Sequence, residues 1–263
     1  MTKVKEVYDF LDEIAPFETA MDFDNCGLLV GDFDRKVQKI LLSLDITGNV
    51  CDEAGNLGVD LIISHHPIIF KPLRKLSFKH PVSKLAKYEI SAICAHTNLD
   101  VAQIGVNYCL AKTLGLSNLS ALSHENECPL GLVGNLPKPM SSEDFGKSIK
   151  EKLLCEGIRY TKTSKTVSKI AICSGAGGSL IENAFEKGAD AFVTGEIRHS
   201  DILKSNEFGI SIFDAGHFKT ENVVINPLKK ILENKFPQIK FFVSEVFSDN
   251  ISYIWKIIIP TEV

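Results

Sequence analysis

The chain has 263 residues, of which 44% are hydrophobic and 24% charged, with a formal net charge of −4. Such a composition is ordinary for a globular protein, and the length is enough to bury a substantial core in one large α/β domain or two small lobes. The slight acidic excess leaves no global electrostatic footprint for nucleic acid, and no stretch approaches a membrane span.

Lys3 to Ile14 opens the chain with Val4, Val7, Tyr8, Leu11 and Ile14 at three- and four-residue steps, which predicts an amphipathic helix. Its interleaved acids fit neither a signal peptide nor a membrane helix. Beyond it the chain repeats one grammar: a short unbroken apolar run, a Gly-marked turn, then a helical pattern. The runs are Ile40 to Leu44, Leu61 to Ile63, Ile90 to Ala95, Ile170 to Cys173, Ala191 to Val193 and Ile210 to Phe213. Apolar runs without alternation are strands covered on both faces, so the expected fold class is α/β, with mostly parallel sheets between helix layers.

Lys39 to His66 also lies over Lys169 to Glu196 at a constant offset of 130, with Lys39/Lys169, Gly58/Gly188 and Asp60/Asp190 among the identities. Two related β-α-β halves are therefore expected, lobe one about 1–125 and lobe two about 126–263, divided in the polar stretch Ser120 to Pro129. A C-terminal strand packs back on lobe one in this scheme, and the site lies in the cleft between the lobes. The cysteines at 26, 51, 94, 109, 128, 155 and 173 are odd in number and never spaced Cys-x-x-Cys. They suit neither a disulfide framework nor a thiolate zinc site, and point to a reducing, cytoplasmic compartment.

Polar side chains at the carboxyl ends of strands in an open α/β sheet face the ligand crevice. Three strand ends here carry metal-type ligands: His65-His66-Pro67, His96 through Asp100, and Asp214 through His217 and Glu221. His217 and Glu221, four apart after Gly216, share a face of a helix's first turn. Adjacent histidines on extended backbone point opposite ways, so His65 and His66 serve one cleft only if the strand has ended, which Pro67 favours. Singly, a His-His pair is more often a turn feature, Asp100 an ordinary cap and His-x-x-x-Glu a chance helical pair. Their coincidence at three strand ends is what packing does not explain. Three imidazoles and two carboxylates suffice for two divalent ions, of zinc, iron, manganese or nickel, with open water positions. The expected grouping is His66, Asp100 and Glu221 on one ion, with His65, His217 and the bridging Glu221 on the other.

His96 and His199 are candidate substrate-facing, proton-transfer residues; His80 and His124 read as loop residues. The turn Ser174-Gly-Ala-Gly-Gly-Ser179 could receive a phosphate on its amides, but it lacks both the third glycine of a dinucleotide fingerprint and a P-loop lysine, so a tight turn is the plainer reading. Asp24-Asn25 reads as a capped turn.

Phe23-Asp-Asn-Cys-Gly-Leu-Leu-Val-Gly31, Ser64-His-His-Pro67, His96-Thr-Asn-Leu-Asp100, Gly188-Ala-Asp190 with Thr194-Gly-Glu196, and Gly216-His-Phe-Lys-Thr-Glu221, in that order, resemble the Nif-three-like family, whose members often carry the name GTP cyclohydrolase I type 2. The resemblance implies a two-lobed α/β/α subunit with a dinuclear metal centre on His65, His66, Asp100, His217 and Glu221. It also implies a ring-shaped homohexamer with the sites facing an internal cavity. The implied activity is metal-dependent hydrolysis of GTP to dihydroneopterin triphosphate and formate, with Arg198, Lys219 and the Ser174-to-Ser179 turn as candidate triphosphate clamps. The competing readings are a phosphoester or nucleotide hydrolase with the same metals, and a non-catalytic, ring-forming metal-binding or interaction protein. Two departures stand out. Phe23 occupies a position where many members have Trp, and the chain is too short for the inserted domain of longer members.

Overall fold

The computed structural model describes residues 1–125, 127–163 and 166–254. Helix α1 (Val4–Ile14) buries Val4, Val7 and Leu11 on one face. The first half continues with β1 (Gly27–Val30), β2 (Lys39–Ser43), α2 (Gly48–Leu57), β3 (Leu61–Ser64), α3 (Pro81–Tyr88), β4 (Ser91–Cys94), α4 (Thr97–Val101) and α5 (Val106–Leu114). The second half begins with β5 (Ser117–Glu125), β6 (Cys128–Ser141), α6 (Ser142–Lys152), β7 (Arg159–Tyr160) and β8 (Thr166–Cys173). It ends with α7 (Ile181–Glu186), β9 (Ala191–Thr194), α8 (His199–Phe208), β10 (Ser211–Asp214), α9 (His217–Glu221), α10 (Ile225–Lys235) and β11 (Lys240–Val243).

Among the described residues these strands form two sheets, ordered β1-β4-β3-β2-β11 and β5-β6-β8-β9-β10-β7. The first is parallel except for β1. In the second, only β8, β9 and β10 are parallel, while β5, β6 and β7 pair antiparallel. Mostly parallel pairing therefore describes one sheet and not the other. The polar stretch expected to divide the lobes is largely the β5–β6 hairpin, with Asn126 outside the described residues. Only Leu122 of β5 is buried, so its polarity belongs to an exposed edge strand and not to a linker. The changeover between sheets falls instead near Gly115, the left-handed cap of α5 at φ 78°.

Each sheet is covered on both faces, which is why its central strands read as unbroken apolar runs. In the first sheet Ile40, Leu42, Ile63 and Ile93 pack toward α1 and α10, while Leu41, Ile62 and Ala92 pack toward α2 and α3. The second sheet packs on α5 and α6 on one side and on α7 and α8 on the other. Strand β11 joins the first sheet beside β2, and Ile225, Leu228 and Leu232 of α10 share a core with Val4, Val7 and Leu11.

The internal repeat reaches individual hydrogen bonds. Asp60 accepts from the backbone N–H of Gln38 (2.8 Å) and Lys39 (3.0 Å); Asp190 accepts from Ser168 (2.9 Å) and Lys169 (2.8 Å). Lys39 Nζ donates to the Leu57 carbonyl and Lys169 Nζ to that of Lys187. Gly58 and Gly188 stop the intervening helices at φ 64° and 67°. The cysteines are free thiols, and burial pushes those of Cys51 and Cys155 up to about 11. No described helix is long and apolar enough to cross a membrane.

Candidate metal centre

The carboxyl ends of β3, β4, β8 and β10 deliver His66, His96, Ser174 and His217 to one cavity of about 720 Å³. Strand β3 stops at Ser64, whose Oγ donates to the His66 carbonyl (2.9 Å) across a bend, while the His66 N–H donates to the Leu44 carbonyl (2.9 Å). That bend lets two successive imidazoles serve one site, their ring centroids 5.0 Å apart. Gly216 takes φ 85° before α9, a backbone conformation open to glycine, and sets His217 and Glu221 one turn apart on one face. Asp24 starts α4, accepting from the Thr97 N–H (3.1 Å), and so positions Asp100 in that helix's single turn.

Glu221 lies at the centre and is 4% exposed. Its Oε2 is 3.0 Å from His66 Nε2 and 3.1 Å from His217 Nε2. Its Oε1 is 3.8 Å from His65 Nε2, which also stands 3.7 Å from Asp100 Oδ1. The grouping therefore differs from the expected one: His65 goes with Asp100, and His66 with His217. His65 Nε2 is buried without a hydrogen-bond partner, a costly state for a polar atom unless something else satisfies it. His66, His217 and Glu221 present donor atoms close enough to hold one metal ion, as do His65, His66 and His96.

Every imidazole is held by its Nδ1. That of His65 donates to the Ala95 carbonyl (3.0 Å), that of His66 to Asp45 (3.0 Å), that of His96 to Asp24 (2.9 Å) and that of His217 to Glu196 (2.7 Å). Fixing Nδ1–H turns Nε2 into the site, where its lone pair becomes available once the proton it shares with a carboxylate is lost, the arrangement that orients metal-ligating histidines. Burial opposes charge on His66, but Asp45 and Glu221 outweigh it and push its pKa up to about 10; Glu221 raises His217 to about 9. Burial alone would raise the Glu221 carboxyl, yet the imidazoles of His217, His65 and His66 hold it far below the usual range.

The glycine turn after β8 serves this carboxylate. A Cβ on Gly175 would stand 2.2 Å from Glu221 Oε1, so only glycine permits the approach. Three of the turn's amides are already engaged: Ser174 N donates to Asn107 Oδ1 (3.0 Å), Gly175 N to Thr220 Oγ1 (3.1 Å) and Gly177 N to Thr194 Oγ1 (3.0 Å). Arg198 pairs with Asp201, and Lys219 lines a separate groove with Phe218 and Asn222. His199 opens α8 on the exposed surface and does not line the cavity. His80 caps α3, and His124 sits on β5 rather than in a loop.

Asp24, Asn25, Asp45, Glu196, Asn107 and Thr220 had no expected part in the site, and Gly175 was expected only as part of a phosphate-receiving turn. Asp45 and Glu196 follow β2 and β9, so the strand-end rule that singled out the histidines applies to them too.

Known proteins resemble this chain in sequence and fold. A Clostridium acetobutylicum protein named GTP cyclohydrolase 1 type 2 homolog is 33% identical over 240 residues, covering 88% of this chain and 90% of its own. A Clostridium perfringens protein of the same name is 31% identical, covering 96% and 100%. Among solved structures, a Staphylococcus aureus hypothetical protein superposes with a TM-score of 0.90 at 32% identity, covering 96% of this chain and 99% of that one. Reduced HcgD from Methanocaldococcus jannaschii superposes at 0.80 with 29% identity, covering 93% and 98%. The Duf34/NIF3 (NGG1p interacting factor 3) family matches residues 2–251, and this chain belongs to it.

Proposed function

We propose that the cleft binds two divalent metal ions bridged by Glu221 and acts as a metal-dependent hydrolase. The divided carboxylate carries this reading: Oε2 faces His66 and His217, while Oε1 faces His65, itself beside Asp100. Donor atoms 3.0–3.1 Å apart around Oε2 and 3.7–3.8 Å apart around His65 Nε2 leave room between them for ions bound at about 2.0–2.1 Å. On this reading His65, Asp100 and Oε1 would hold one ion, and His66, His217 and Oε2 the other. The mixed imidazole and carboxylate set suits zinc, iron, manganese or nickel.

Ions bound there would acidify water and polarise an electrophile. The chain supplies orientation through the four Nδ1 contacts, and His96, held by Asp24 at the cavity wall, can give or take a proton. The relatives' name makes GTP the first compound to assay.

Elemental analysis of wild type, Glu221→Ala and Asp100→Asn tests the centre, with formate release from GTP followed in parallel. About two ions per chain are expected in wild type, nearly none in Glu221→Ala and about one in Asp100→Asn. His96→Ala should keep its metal and lose turnover. A wild-type chain that takes up no metal overturns the reading.

A further inference from the structure

We propose that the ligand of this centre is a compact, ring-bearing molecule without a phosphate tail, whose polar head reaches the metals; this rests on the metal-centre reading above. The cavity has the size of a small-molecule site. Besides the ligand residues it is lined by Met21, Phe23, Phe70, Leu130 and Leu180. Phe23 and Phe70 are 64% and 45% exposed, so large apolar faces stand open beside the metal ligands. Their ring centroids lie 6.3 Å apart, and Phe70 stands 6.5 Å from His96 at 80°. Two aromatic rings and an imidazole thus converge where a planar ligand could stack or meet an edge. The jaw is fastened: Asn25 Nδ2 donates to the Ile69 carbonyl (2.6 Å), tying the segment that carries Phe23 to the one that carries Phe70.

Charge argues against a triphosphate in the same space. Among the described lining residues none is Lys or Arg, and Glu125 is the one acidic residue apart from Asp100 and Glu221, whose charge the ions would offset. Three amides of the glycine turn, those of Ser174, Gly175 and Gly177, already donate to Asn107, Thr220 and Thr194. Lys71, Arg74 and Lys75 follow Phe70 on an exposed segment, but none of them lines the cavity.

Acetohydroxamate and benzohydroxamate share one chelating head and differ by a ring, so their calorimetric titration into zinc-loaded full chain isolates the apolar contribution. Benzohydroxamate should bind about tenfold tighter or more, as burial of a ring implies. Phe23→Ala and Phe70→Ala should remove that advantage while leaving acetohydroxamate binding and metal content unchanged. GTP should displace benzohydroxamate no better than guanosine does. Equal affinity for the two hydroxamates, or clearly better displacement by GTP, overturns the proposal with the metal centre intact. Failure of both hydroxamates to bind, with no metal in the protein, removes the centre itself.

Discussion

Gly175→Ala separates the demands of the metal centre from those of the fold. The new Cβ would stand 2.2 Å from Glu221 Oε1, whereas ordinary contact begins near 3.4 Å. The carboxylate must therefore retreat by about 1.2 Å, against a tolerance of about 0.2 Å in coordination distances. Oε1 is the oxygen beside His65, so the ion shared by His65 and Asp100 should be lost, while the His66–His217 ion is weakened less. Gly175 also has φ 59°, which costs alanine about 1–2 kcal/mol by itself. Gly188→Ala supplies the control: φ is 67°, and the nearest atom is Lys169 Nζ at 4.0 Å. Both variants should lower the thermal midpoint of metal-free protein, Gly175→Ala the more because the buried carboxylate must also move, but only Gly175→Ala should drop metal content from about two ions to about one. Full occupancy with unchanged affinity in Gly175→Ala would refute the claim that this approach positions the bridge.

Metal loading of metal-free protein near neutral pH should release protons, because His66 and His217 carry theirs up to about 10 and 9 while ligation needs neutral imidazole; a pH-indicator titration reads the release. The same raised values stabilise the metal-free fold fully below the unfolded histidine pKa of about 6.5, and that contribution is lost as pH rises through 9 to 10. The metal-free thermal midpoint should therefore fall across that window, and a flat midpoint would contradict the cluster. Asp45→Asn and Glu196→Gln should each weaken metal binding about 10- to 100-fold, measured by competition with a chromophoric chelator. Asp24→Asn should keep both ions, lower any turnover by loosening the hold on His96 Nδ1, and cost about 1–3 kcal/mol by weakening the start of α4; unchanged turnover excludes His96, so held, as the proton-transfer group.

The central strands were legible because helices cover both their faces, which leaves Ile40 to Leu44 and its counterparts with no polar side to present. Strand β5 was not, since an edge strand with only Leu122 buried has the composition of a linker. A C-terminal strand returning to the first half was expected, but its partner β2, about two hundred residues away, is announced by no local pattern. At the site, the strand-end rule reached His65, His66, Asp100, His217 and Glu221 because packing offers no reason for such residues there. Which imidazole faces which carboxylate depends on the bend after Ser64, a matter of direction that spacing does not encode. Gly175 looked like part of an anion turn because a glycine making room for a carboxylate reads the same in sequence as one making room for a phosphate.

Helix α10 begins just after Glu221 and is rooted among Val4, Val7 and Leu11, and β11 then closes the first sheet. The segment bearing Glu221 is thereby anchored to the first sheet on its far side. On the two-ion proposal, one core places Glu221 against His65 before any ion arrives, and loading should then require the ligands to lose their protons rather than two halves to close.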